Sequence, residues 1–332
     1  MSSVDVIVPC YRYGHFLRQS VESVLAQRDI SVRVLIIDDA SPDCTAEVAT
    51  QLSSEDSRVT FVRHPRNKGH IATYNDGIDW ASSEYYMILS ADDYLLSGAL
   101  ANVGRFMDAH PNIGLTYSRA ITLDHCGTTS PALVDETKGT NWQVLSGLEF
   151  IERSGARNIV PTPTAVVRTR LQKQVGGYRP ALPHSGDFEM WLRLAAYSDV
   201  GVSEDYHAVY RRHTGNMSLL YTNRNHVLDV QQRKDAFDYF INTCCDILPD
   251  AEDICRRFSR LLACDAISLA SGAFNEGEMK VSEQLSALAV HLCPQVKRSA
   301  AWTKLICKRV VGRSAWCALQ PAVNSIRQAL SP

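Results

Sequence analysis

Four short apolar runs, three of them followed by a helix-like stretch before the next, constrain this chain more than any other feature of its 332 residues. "VDVIV" (4–8), "VRVLII" (32–37), "VTFVR" (59–63) and "YYMIL" (85–89) are rich in β-branched and aromatic residues and are bounded by polar or turn residues. After the first, "FLRQSVESVLAQ" sets Leu17, Val21, Val24 and Leu25 on one helical face. After the third, Ile71, Tyr74, Ile78 and Ala81 share a face in the same way. Helices are also expected near 44–52 and 97–109, with "IGLTY" as a further strand. Strand alternating with helix predicts an α/β fold built on a doubly wound, mostly parallel sheet. From about 225 onward strand signals stop, and the chain reads as a helical C-terminal extension.

Sheets of this kind bind ligands outside the carboxyl ends of their strands. Two acidic pairs fall there: Asp38–Asp39 after the second run and Asp92–Asp93 after the fourth. Adjacent carboxylates repel each other, so each pair needs solvent, a cation or a partner. On residues alone, Asp92–Asp93 fits a helix N-cap, a hard-oxygen site for Mg2+ or Mn2+, or an acid–base dyad.

A net charge of −2 argues against a nucleic-acid protein that works through bulk electrostatics. No apolar run reaches the roughly 18 residues a membrane span needs. The opening "MSSVDVIVPC" carries Asp5 and no basic segment, so it reads as the first strand and not as a secretory signal. Ten cysteines without a C-x-x-C pair are expected to be reduced thiols in a cytoplasmic protein.

The blocks "VDVIVPCYRYGHFLRQSVESVLAQ", "VLIIDDASPD", "RNKGHIATYNDGIDWASSEYYMILSADD" and "GDFEMWLRL" occur in that order. Together they resemble the family 2 glycosyltransferases, inverting enzymes of the GT-A fold that use nucleotide-diphosphate sugars. The likeness covers about residues 3 to 220. It implies a GT-A domain over 1–222, with a nucleotide-binding part over about 1–118 and an acceptor part over about 119–222. A helical region, 223–332, would follow, basic at its end.

Residue by residue, the resemblance implies that Pro9 and Tyr11 border the nucleobase. Asp39 would accept a hydrogen bond from the base, and Asp38 would support its loop. Asp92 and Asp93 match a DXD-type element, Asp93 as ligand to Mn2+ or Mg2+ and Asp92 at the ribose or the metal. His213 in "YRRHTGNMS" would stand near the metal and diphosphate, and Asp187 in "SGDFEMW" would be the catalytic base. Asn75 would belong to the nucleotide-sugar site; many relatives carry Arg one position before it, where this chain has Tyr74, and diphosphate charge would then fall to the metal, Lys68, Arg66 or Arg212. Gly186 stands where an acidic residue usually precedes the base, and Glu189 is a nearby second candidate for the base itself.

Without the resemblance, Asp187 reads equally as the N-cap of "FEMWLRLAAY". Thr162, Thr164 and His184 have hydroxyl and imidazole groups suited to an acceptor saccharide, free or lipid-linked as in cell-envelope polysaccharide synthesis. Residues 297–332 hold seven Lys or Arg and no Asp or Glu, with Trp302, Leu305, Ile306, Val310 and Trp316 interleaved. Such a segment suits either a solvated helix or peripheral contact with the inner face of an anionic membrane. Two other functions fit an α/β nucleotide-binding chain: a sugar nucleotidyltransferase and a non-catalytic nucleotide-sugar-binding protein. The first would open with a Gly-rich phosphate loop, where this chain has "PCYRYGHFL".

Overall fold

The computed structural model describes residues 2–124, 129–130, 141–216, 225–316 and 318. The final stretch of the basic segment, and Cys126 and Cys317, lie outside the described residues. The chain divides into two compact units, 1–216 with 236–248, and 217–235 with 249–332.

In the first unit, β1 (Ser3–Cys10), β2 (Ser31–Asp38), β3 (Val59–Arg63) and β4 (Tyr85–Ile88) form one parallel half of a ten-stranded sheet, in the order β3-β2-β1-β4. Helices α1 (Gly14–Leu25), α2 (Thr45–Glu55) and α3 (His70–Trp80) make the crossovers. Val4, Val6, Ile7 and Val8 are all buried, as expected of a parallel strand covered on both faces. Helix α3 lies close on β1, because a Cβ on Gly77 would stand 2.4 Å from Ile7 Cγ2.

Buried Asp5 interrupts β1 at the sheet edge away from the acidic pairs. Arg33 reaches it with two bonds of 2.8 and 2.7 Å, and Ser82 N and Ser83 N donate at 2.7 and 2.8 Å. Burial opposes its ionised form, but these donors win and hold its pKa below the ordinary value.

The helix expected near 97–109 is α4 (Ala99–Ala109); a two-residue strand, β5 (Tyr94–Leu95), separates it from Asp93, so the pair does not cap that helix. The rest of the sheet is β6 (Ile113–Leu123), β7 (Thr129–Ser130), β8 (Trp142–Leu145), β9 (Val166–Arg168) and β10 (Asp199–Arg211). Here β9 runs antiparallel between β4 and β6, while β10 is parallel to β6. Strands β1, β2, β3, β4, β6 and β10 thus share one direction, and β5, β7, β8 and β9 oppose it, so the sheet is mostly parallel. The β10–β6 register breaks between Asp199 and Val200, Val202 and Tyr206, and Tyr206 and Ala208. Helices α5 (Gly147–Ser154), α6 (Thr169–Val175) and α7 (Gly186–Ala195) complete this part of the chain.

Helix α8 (His226–Cys244) supplies 236–244 to the first unit, although the sequence division at 222 assigns it to the tail. The second unit is helical, with α9 (Ala251–Glu276), α10 (Met279–Leu292) and α11 (Ala300–Val311). Ile254, Phe258, Leu262, Ala266, Ala270 and Phe274 form the buried stripe of α9, and Leu285, Ala289 and Leu305 are buried on the other two.

The basic residues of α11 are not all solvated. Lys308 is 2% exposed and donates to Ser271 Oγ at 2.7 Å and Asn275 Oδ1 at 2.8 Å. Arg309 reaches Ser282 Oγ and Ser286 Oγ at 2.9 and 2.7 Å, and Arg313 Nε donates to Asn275 O at 2.9 Å. All eight cysteines for which a state is described are free thiols.

Candidate active site

Both acidic pairs lie at the carboxyl ends of their strands, as the alternation predicts. Asp38 Oδ1 accepts from Ser41 N at 2.8 Å, and Arg63 Nε stands 3.2 Å from Oδ2 without hydrogen-bond alignment. Asp39 is more fully committed. His64 Nδ1 and Lys68 N meet its Oδ1 at 2.8 Å each, and Gly69 N donates to Oδ2 at 2.9 Å. A carboxylate offers about four acceptor positions, so the 64–69 loop takes most of Asp39. Lys68 is tied to Asp76 at 2.7 Å. Pro9 is the last residue but one of β1, and Tyr11, just beyond the strand, is 41% exposed with Arg12 over its ring at 5.5 Å.

The second pair sits in a turn after β4, closed by Asp93 N donating to Ser90 O at 2.9 Å. Both side chains are buried. Burial raises the proton affinity of each, and the charge of Asp92 adds to the rise at Asp93, which stands well above the ordinary value. The end of β10 answers this charge: Arg211 N donates to Asp93 Oδ1, and Arg211 Nε to Asp92 O, both at 2.9 Å. His213 Nε2 lies 3.0 Å from Asp92 Oδ2, where Asn216 Nδ2 also donates at 3.2 Å. The structure thus sets His213 against Asp92, whereas the sequence groups it with Asp93.

Among the described residues, no three His, Cys, Asp or Glu side chains are grouped to hold a metal ion. The donor set still suits a hard divalent cation: two crowded, desolvated carboxylates beside an imidazole. Mg2+ and Mn2+ commonly take their remaining ligands from water and substrate phosphate.

Asp187 opens α7 and is held by Thr162 Oγ1, which donates to its Oδ2 at 3.0 Å, and by the Tyr178 hydroxyl. Burial pushes its pKa up against these two bonds and against the charges of His70 and His184. A recess of about 10 Å³, room for roughly one water molecule, is lined by Asp187, Thr162, Tyr178, Tyr74 and Trp191, among others. Tyr74 packs edge-on against Tyr178 at 5.3 Å, and burial, with the charges of Asp187, Asp92 and Asp93 adding to it, raises the pKa of its phenol.

Other expected site residues are spent on structure. Asn75 binds the backbone of Tyr178 at both ends of its amide, at 2.9 and 2.7 Å, so it positions Tyr178. Thr164 is buried and its hydroxyl bonds Ser118 and Pro161 backbone groups. Glu189, the second candidate base, is corrected: it lies wholly buried between Arg193 and Arg179, at 2.8 and 3.0 Å, and cannot meet a substrate. Its i,i+4 spacing from Arg193 was visible in the sequence. The roles of Arg211, Asn216 and Tyr178 were not, since each arises from residues distant in the chain.

Residues 5–169 match the family model described as glycosyl transferase family 2. The chain belongs to this family and is a glycosyltransferase. That membership sets aside the nucleotidyltransferase and the non-catalytic alternative. A GalNAc(5)-diNAcBac-PP-undecaprenol β-1,3-glucosyltransferase of Campylobacter jejuni is 33% identical over 104 residues, 31% of this chain and 34% of that protein. The S. aureus TarS 1–349 structure in complex with UDP superposes with a TM-score of 0.54 at 14% identity, covering 89% of this chain and 91% of the other. The mannosyltransferase PcManGT from Pyrobaculum calidifontis, in complex with GDP-Man and Mn2+, gives 0.51 at 16% identity over 91% of this chain and 86% of its own. The fold is therefore the GT-A type with a helical C-terminal region.

Proposed function

We propose that this glycosyltransferase moves a sugar from a nucleoside-diphosphate sugar, a UDP-sugar foremost, to an acceptor hydroxyl with inversion at the anomeric carbon. The observation that carries the reading is Asp187: a half-buried carboxylate with raised proton affinity, oriented by two hydroxyl donors beside a small recess. Such a group is suited to general-base work.

The acceptor oxygen attacks the anomeric carbon and gives its proton to Asp187. The bond from that carbon to the diphosphate oxygen breaks, and its electron pair leaves with the nucleoside diphosphate. Thr162 and Tyr178 keep the carboxylate in one orientation throughout. Pro9, Tyr11 and the Asp38–Asp39 loop border the nucleoside, with Lys68 near the diphosphate and His184 toward the acceptor. Asp93, with Asp92 and His213 beside it, would hold Mn2+ or Mg2+, and a cation there supplies charge neutralisation for the diphosphate leaving group.

The UDP and GDP-Man complexes of the two structural neighbours support a nucleotide-sugar donor. The name of the C. jejuni relative supports a lipid-linked saccharide acceptor, which suits cell-envelope polysaccharide synthesis on the cytoplasmic side of a membrane. Calorimetric titration with UDP-, GDP- and TDP-sugars, with and without Mn2+, tests the proposal. Metal-dependent binding of one donor class is expected, and failure of every nucleotide sugar to bind would overturn it.

A further inference from the structure

Helix α11 buries Leu305 and exposes Lys304, yet it also turns one lysine inward and three apolar side chains outward. Lys308 is 2% exposed, whereas Val310 is 82% exposed, Val311 44% and Ile306 36%. At a helical turn of 3.6 residues, Ile306 and Val310 lie one turn apart on a face that also carries Thr303 and Cys307, both exposed. The opposite face points its charge inward, where Ser271, Asn275, Ser282 and Ser286 receive Lys308 and Arg309. A helix meant only for solvent would put Lys308 out and Val310 in. The outward apolar face is therefore fitted to an apolar medium.

Charge narrows the occupant. Lys297, Arg298 and Lys304 are exposed on and just before this helix, and no Asp or Glu occurs anywhere in 297–332. Two copies of so basic a segment repel each other, whereas an anionic surface attracts it. We infer that the Ile306–Val310–Val311 face of α11 docks on an anionic lipid surface, the apolar side chains entering the headgroup boundary and the flanking Lys and Arg holding phosphates. Two of the seven basic residues of 297–332, Lys308 and Arg309, act instead by fastening the helix to its own unit.

Flotation of the full chain with vesicles of phosphatidylcholine alone, or mixed with phosphatidylglycerol, tests this. Binding is expected only to the anionic vesicles and is expected to weaken with salt. Ile306→Asp with Val310→Asp should lower the partition at least about tenfold, because binding scales with apolar area entering the interface. Both sites are exposed, so an unchanged thermal melt would show the variant folded. Equal flotation of wild type and variant, or no flotation above the neutral-lipid level, would overturn the proposal. A concentration-dependent dimer in sedimentation, abolished by the same pair of substitutions, would assign the face to a second copy and overturn it too. Donor titration does not involve this helix, so loss of vesicle binding and loss of nucleotide-sugar binding remain separate results.

Discussion

At the level of single residues, the environment of Asp187 decides what its carboxylate can do. Burial raises its pKa, while the hydroxyls of Thr162 and Tyr178 and the charges of His70 and His184 restrain the rise. A base works deprotonated, so kcat/KM should fall as pH drops through a pKa above the ordinary carboxylate value. Thr162→Val removes a bond that favours the ionised form and should move that acid limb to higher pH. Asp187→Asn should lower kcat by about 10²–10⁴-fold, the usual worth of a general base, with nucleotide-sugar affinity retained. A pH–rate profile and donor calorimetry on the three proteins check both statements. An unshifted limb in Thr162→Val would remove Thr162 from the role. The motif blocks made Asp187 legible; its partners were not, because Thr162 and Tyr178 reach it through tertiary folding.

At the level of elements, legibility followed hydrophobic continuity. Strands β1, β2 and β4 are largely buried and read as apolar runs, so the acidic pairs that follow β2 and β4 could be placed from sequence. Strand β10 could not. Its sequence "DVGVSEDYHAVYR" carries charges and register breaks that hide a period of two. It also contains His207, buried, with neither ring nitrogen hydrogen-bonded and a pKa lowered to about 4 by burial. The unfolded chain takes up a proton on this residue near pH 6.5, and the folded chain only near 4. Stability is therefore complete above that range and falls as pH drops through it, by about 3 kcal/mol in all. Urea unfolding of wild type and His207→Leu between pH 7 and 4 should show the slope differing by that contribution. Parallel slopes would mean His207 finds a partner.

At the level of the whole molecule, the two units do not divide where composition changes. The helical tail reads as starting after 222, yet Ala236, Phe237, Phe240 and Cys244 are buried, and 236–248 belong to the first unit. Arg179, which pairs with Glu189, also donates to Thr243 Oγ1 at 2.7 Å and stacks over Tyr239 at 5.3 Å. A chain ending at 222 loses two buried phenylalanines, each worth about 3–5 kcal/mol, from a domain whose margin is only about 5–15. It should show no cooperative thermal transition, whereas a chain ending at 248 should melt cooperatively. Cooperative melting of both would return the boundary to 222. Helix propensity could announce these helices but not say which core each one joins.

Strand β10 brings Arg211 to the Asp92–Asp93 pair and leads directly to His213, and the irregular pairing between Val202 and Ala208 sets its phase. Side chains alternate along a strand with a period of two, so the bulges act as a vernier whose reading is a whole number of residues. One residue gained or lost there would give the place of Arg211 to Tyr210 or Arg212 and slide His213 away from Asp92. Although Glu204 at the centre of that stretch is exposed, its length should be as tightly held as any ligand-contacting residue. Indels that an ordinary surface loop would absorb should here silence the enzyme without unfolding it.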